Sequence, residues 1–350
     1  MDFNVHDPSG VWVGIVESPT SAIWTRRYQK PGDFELYFPA TPEMLELLTD
    51  DCYITREDTL ETMIVEHVEI KTSIEDGDYI IVSGRGAGCM LERRIIWNQT
   101  SINGRADAGI YRLIDENAIN PADPARKLTL TMETPNITRA TIRAQYTGSN
   151  LLEAVQEICK TYGLGFRAVG DAYSENLIPR IELLNGTDRS EDQENNSPVI
   201  FSEEYENLLS SSYVLDTKEY KNVALVAGEG EGKARKRAAI GNTSGNARRE
   251  LYVDARDVST NDGEISAEEY AAQLSARGAE ALAEHPLSES FDGEIDTANN
   301  FVLDVDYTLG DIVTTENKYG IRKNTRVSAI MESWDNEGYN AVPIFENVEV

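Results

Sequence analysis

Glycines at every second position, Gly228, Gly230 and Gly232, followed by Lys233, mark the stretch whose residue types most resemble a chemical motif. Phosphate binding is the chemistry such a loop would perform. A phosphate loop reads G-x-x-x-x-G-K-[ST], the last hydroxyl holding magnesium. Here three residues lie between Gly228 and Gly232, and Lys233 is followed by Ala234. Glu229 and Glu231 would also repel phosphates. The dinucleotide pattern G-x-G-x-x-G fails on spacing as well. The stretch instead reads as a core strand over 220–227, with Val223 to Ala227 in one apolar run that suits burial on both faces, leaving the interior through an acidic, flexible exit. It then carries positive charge outward on Lys233, Arg235, Lys236 and Arg237. With Arg248 and Arg249 these form the one local departure from an acidic chain. A DNA-binding patch would interleave aromatic residues, which this one lacks. A hairpin or loop at a subunit interface, meeting acidic residues of a neighbour, needs nothing more.

Other chemistry is thin. His6, His67 and His285 show no metal-ligand spacing and read as structural residues. Cys52, Cys89 and Cys159 are odd in number and far apart, so neither a disulfide framework nor a zinc site is expected, and the thiols read as inert. Asp188, Ser190, Asp192 and Glu194 have calcium-like spacing but no turn glycine and no distant bidentate Glu. No G-x-S-x-G is present. With 61 acids, neighbours such as Glu203-Glu204 or Glu268-Glu269 carry no catalytic information. Asn98, Asn136, Asn185 and Asn242 fit the N-glycosylation pattern, which means little without a secretory signal. No cofactor, no metal and no enzymatic activity are expected.

The elements around these residues read as mainly β. Strands are expected over 11–16, 23–28, 33–38, 53–56, 62–72 and 79–82, with a short helix over 43–48 and turns at Pro31-Gly32 and Asp76-Gly77. The segment 84–94 reads as a glycine-rich lead into one or two helical turns. Then the character changes. Helices are predicted over 106–119 and 151–162; in the second, Leu151, Leu152, Val155, Ile158, Cys159 and Tyr162 share a face, Asn150 caps it and Gly163 ends it. Strands over 166–169 and 178–184 follow, then a polar, acidic stretch over 185–198 that reads as an exposed loop or linker. The remainder returns to strands: 199–201, 208–215, 238–240 and 249–253, the last two pairing across the turn 241–246. Ser266 and Glu269 form a capping box for a helix over 267–284, in which Gly278 permits a close neighbour. Strands over 306–315, 325–334 and 339–345, with a turn at 336–338, end the chain.

At 350 residues the chain is long enough for roughly two to four domains. Lys plus Arg number 32 and Asp plus Glu 61, a net charge of −29, which opposes tight wrapping of nucleic acid. No apolar run approaches the ~18 residues a membrane helix needs, and the N-terminus is neither basic nor hydrophobic. A soluble protein made in a cytoplasm is therefore expected.

Several stretches taken in order resemble the tail-hub proteins of long non-contractile-tailed bacteriophages, the tail-tip family related to contractile-tail baseplate hubs. They are GDFELYFP at 32–39, GRGAGCMLERRII at 84–96, NLLEAVQEICKTYGLGF at 150–166, VIFSEEYENLLSSSYVLDTKEYKNVALVAGEGEG at 199–232 and DYTLGDIVTTENKYG at 306–320, with the ending 330–345. The resemblance implies an α+β, mainly β fold: two pseudo-symmetric β-barrel-like tube domains at 1–97 and 199–350, a peripheral α/β domain at 98–198, and a helical insertion around 266–285. It implies a virion structural protein, a homotrimer that closes the distal end of the tail tube and opens for DNA ejection. The implied partners are the distal tail protein, the tail tube protein and the tape measure protein, with tail fibre or receptor-binding proteins beyond; genomic DNA only passes through. An acidic channel would repel its phosphates. Some members carry a C-terminal hydrolase or fibre region; the resemblance here runs out near the last residue, so that activity is not expected. The alternative function class is a cell-wall or carbohydrate hydrolase, or a carbohydrate-binding adhesion module.

Overall fold

The computed structural model describes residues 1–73, 77–260, 264–295, 301–335 and 338–348. Its organising feature is a 13-stranded sheet that takes strands from both β-rich halves. From one edge the order is Leu208–Asp216, Ser288–Ile295, Gly338–Asn347, Arg322–Asp335, Ser21–Arg27, Asp33–Pro39, Tyr79–Gly86, Thr62–Lys71, Tyr53–Arg56, Asp2–His6 and Trp12–Glu17. Ile312–Glu316 joins Arg322–Asp335 from the side, and Ile200–Ser202 pairs with it in parallel. The halves meet where Arg322–Asp335 runs antiparallel to Ser21–Arg27, from Ala329 opposite Arg27 to Trp334 opposite Ala22. The class is α+β and mainly β, as expected, and no barrel closes among the described residues.

Alternation decides which face is buried. In Asp33–Pro39, Phe34, Leu36 and Phe38 point inward with Phe3, Val5 and Trp24 into the first core. A second core gathers Phe201, Phe291, Val313 and Phe345 from the C-terminal strands. The middle section has its own, built on helices Ala106–Ile114 and Leu151–Tyr162, with two small sheets beside them. The Asn150 side chain accepts from the Leu152 and Glu153 amides, and Gly163, at φ +65°, ends the second helix.

Two expectations need correction. The strands Arg237–Ile240 and Glu250–Asp254 do not pair with each other. Both flank Val223–Ala227, the first antiparallel and the second parallel. Val223, Ala224, Val226 and Ala227 are buried, so this strand takes the central place with a ladder on each edge. The connection passes around its start: Gly241 sits at φ +90°, where a Cβ would lie 2.2 Å from the Asn222 carbonyl oxygen. Second, Leu225 within the same run is exposed, so the strand is not buried on both faces. The polar stretch 185–198 is the largely exposed loop expected, and it is pinned. Arg189 pairs with buried Asp311 at 3.0 Å, Thr187 donates its amide to the same carboxylate, and the Arg189 amide donates to Ile312 O. The expected turns at Asp76-Gly77 and 336–338 fall partly outside the described residues.

The Ser266 cap forms: its side chain accepts from the Glu269 amide at the start of helix Ala267–Ala283. Gly278 meets the small sheet, and a Cβ there would lie 2.7 Å from Val226 Cγ2 and Ile240 Cδ1. Replacing helical glycine by alanine ordinarily stabilises by about 1 kcal/mol. Overpacking costs about 1–3 kcal/mol. Gly278→Ala is therefore expected to destabilise despite its better propensity; a urea midpoint at or above wild type would show that the sheet gives way instead. Among the described residues no helix is long and apolar enough to cross a membrane.

Candidate functional site

The basic residues singled out in the sequence gather on the small sheet, but the structure divides them. Arg235 is a strap: its guanidinium donates to Gly228 O at 2.9 Å, Ala227 O at 2.6 Å and Tyr252 Oη at 2.8 Å, and pairs with Asp254. Lys236 pairs with Glu229 at 2.8 Å and lies over the Tyr270 ring. Arg248 pairs with Glu250 at 2.6 Å, and Arg249 donates to Thr217 O. Only Lys233 and Arg237 are exposed with no ion-pair partner among the described residues. The glycines serve the turn. A Cβ on Gly228 would lie 2.1 Å from Tyr270 Oη, and Gly230 and Gly232 adopt φ +95° and +54°. Tyr270 Oη accepts the Glu229 amide at 2.8 Å. The exit is a braced turn with no phosphate cradle.

What sequence reading missed is a buried charge cluster at the seam of the large sheet. Arg56 is 2% exposed and lies between two indoles, its Cζ 5.2 Å from the Trp24 ring centroid and 4.4 Å from that of Trp334. It donates to Asp58 at 2.6 and 2.9 Å and to Glu332 at 3.2 and 3.3 Å. Arg26 pairs with the same Glu332 at 3.2 Å and with Asp304 at 2.9 Å. Glu61 is buried nearby; burial pushes its carboxyl up to about 7, against the opposing pull of Arg26 and Arg167. Strands 276 residues apart in sequence are thus joined by one carboxylate shared between two guanidinium groups.

A second junction lies at Tyr28, fully buried where three parts of the chain converge. Its hydroxyl contacts Gly163 O at 3.0 Å and Leu184 O at 3.2 Å as donor, and accepts the Gly186 amide at 3.0 Å. Its ring is seated against glycines: a Cβ at Gly165 or Gly310 would lie 2.4 or 2.2 Å from ring carbons. Arg326 covers the ring at 5.0 Å.

A third joins the helical insertion to the middle section. Tyr146 donates to Glu280 Oε1 at 2.5 Å, and Arg277 pairs with Asp257 at 2.9 Å while lying over the Tyr146 ring. Burial pushes the Glu280 carboxyl up to about 7 from 4.5, with Tyr146 and Arg277 pulling the other way. Between those two values the unfolded chain ionises while the folded chain stays protonated. The folded state then holds more protons, so stability falls as pH rises, by about 3 kcal/mol in full. Glu280→Gln mimics the protonated acid and keeps an acceptor for Tyr146. It is expected to gain stability over wild type at pH 8 and little at pH 5 in urea titrations; an equal effect at both would mean the carboxyl titrates normally.

The remaining candidates stay apart. All three cysteines are buried; burial pushes Cys52 and Cys89 up to about 12 and raises Cys159 as well. His6 is buried with its Nε2 2.9 Å from Ser174 O, and its pKa is lowered by burial. Asp188 accepts the Ser190 amide and Asp192 accepts from Asn324. Among the described residues no group of His, Cys, Asp and Glu is arranged to hold a metal ion.

With this architecture in view, comparison with known structures assigns the class: the fold is that of a phage tail protein. The 43 kDa tail protein of prophage MuSo2 from Shewanella oneidensis superposes with a TM-score of 0.57 at 13% identity, over 99% of this chain and 98% of that one. The tail protein from Neisseria meningitidis MC58 gives 0.57 at 12%, over 99% and 96%. Prophage tail protein gp18 from Listeria monocytogenes EGD-e gives 0.56 at 11%, over 99% and 95%. The chain belongs to the Siphovirus ReqiPepy6 Gp37-like family, whose model matches residues 2–345. No curated protein matches it.

Proposed function

We propose that this chain is the hub at the distal end of a siphophage tail tube, a structural protein of the virion made in the host cytoplasm. Three copies form a ring that closes the tube and opens to release DNA. Each copy contributes two tube domains, 1–97 and 199–350, with 98–198 as a peripheral domain outside. The carrying observation is the sheet shared by the two β-rich halves, which lets one chain supply two neighbouring segments of a tube wall. The tail-protein fold over nearly the whole chain supports the same reading. The partners are the distal tail protein, the tail tube protein and the tape measure protein, with fibre or receptor-binding proteins attached outside; the chain catalyses no reaction. A net charge of −29 suits a wall past which DNA slides.

Gold-labelled antibody against the chain, imaged on intact particles, tests this placement. Label confined to the tail's distal end is expected. Label on the capsid or along the tube would overturn the reading.

A further inference from the structure

The small sheet has one covered and one open face. Helix Ala267–Ala283 packs on the first, through Tyr270, Leu274 and Gly278. On the second, Ala239, Leu225 and Tyr252 form one cross-strand row. Leu225 is 39% exposed and Tyr252 58%. The tyrosine is held ready, because its hydroxyl accepts from the buried guanidinium of Arg235 at 2.8 Å. An aromatic residue fixed in advance loses little freedom on contact and makes a good anchor.

The rim of this face is cationic. Residues 228–256 hold seven basic and four acidic side chains; the rest of the chain holds 25 and 57. Within the segment Asp254, Glu250 and Glu229 are each matched by Arg235, Arg248 and Lys236. Exposed Glu231 is balanced in number by Arg256, itself 3.6 Å from Asp254. Lys233 and Arg237 remain uncommitted, so the face presents apolar centre and positive edge on a molecule that is elsewhere strongly negative.

We propose that this open face docks on the acidic surface of a second copy of the chain, with Tyr252 and Leu225 at the centre and Lys233 and Arg237 meeting carboxylates at the rim. Arg235, Lys236, Arg248 and Arg249 brace the face from within and do not reach across. The proposal rests on the reading that copies of this chain assemble. Charge complementarity chooses the occupant: a second copy offers an acidic surface wherever this face is not.

Sedimentation velocity of the full chain, wild type beside the double variant Lys233→Glu/Arg237→Glu, tests it at low and high salt. The expected result is wild-type self-association that weakens about tenfold in the variant at each salt concentration. Both side chains are exposed, so thermal unfolding of the variant should match wild type. If wild type associates and the folded variant associates equally well, the face is wrong while the assembly reading stands. If wild type stays monomeric at every salt and concentration, the assembly reading falls and the docking proposal with it. Duplex DNA binding lost in the variant while self-association is unchanged would give the rim to nucleic acid and overturn the proposal.

Discussion

Arg56→Ala will destabilise the fold by roughly 3–5 kcal/mol, the range for stranding a buried charge. The arginine side chain is 2% exposed and its partner Glu332 only 6%. Removing the guanidinium leaves Glu332 with Arg26 and the Tyr339 hydroxyl, and it withdraws the plate between Trp24 and Trp334. The damage is electrostatic before it is steric. Arg56→Met with Glu332→Gln should therefore recover part of the loss, because the carboxylate is no longer stranded while Arg26 keeps Asp304. Arg56→Lys should not, because an ammonium cannot serve Asp58 and Glu332 with paired donors. Urea denaturation of wild type, these three variants and the single variants Arg56→Met and Glu332→Gln checks this. Additive losses in the double variant would show that the groups are not coupled.

Tyr28→Ala is expected to be comparably severe, at roughly 3–5 kcal/mol for an emptied aromatic site. Tyr28→Phe isolates the hydroxyl and should cost roughly 1–3 kcal/mol, because the Gly186 amide and the Gly163 and Leu184 carbonyls lose a partner. The distinguishing outcome is local. Gly186 begins the pinned stretch that reaches Arg189 and Asp311, so proteolysis within 186–198 should accelerate in both variants. Gly310→Ala should resemble Tyr28→Ala, since its φ of +95° and the nearby ring both oppose a Cβ. Unchanged cleavage of 186–198 in Tyr28→Phe would mean that the hydroxyl does not hold that segment.

These two junctions were the least legible parts of the sequence, for a physical reason. Helix Leu151–Tyr162 announces itself because its apolar face, cap and terminal glycine are local and close in sequence. Asp33–Pro39 does so by strict alternation. Arg56 and Glu332 carry no such mark: a charge in a strand ordinarily faces water, and only the pairing of distant strands shows that these two do not. Glu280 was hidden in the same way, on a helix whose capping box was plain but whose neighbour Tyr146 lies 134 residues away. The Arg237–Ile240 and Glu250–Asp254 strands misled because a short connection suggests a hairpin, whereas burial of Val223–Ala227 demanded the centre. The basic cluster was visible as composition. Which of its members are consumed within the fold depended on Asp254, Glu229 and Glu250, and only coordinates assign those pairs.

The stoichiometry at the end of the tail bears most directly on the account. Cryo-electron microscopy of intact particles, reconstructed at the distal end of the tube, counts the copies and shows which strands form the wall. Three copies are expected, each placing strands from 1–97 and from 199–350 at alternate positions around the axis. Six copies, with a single β-rich half of each at the wall, would contradict it.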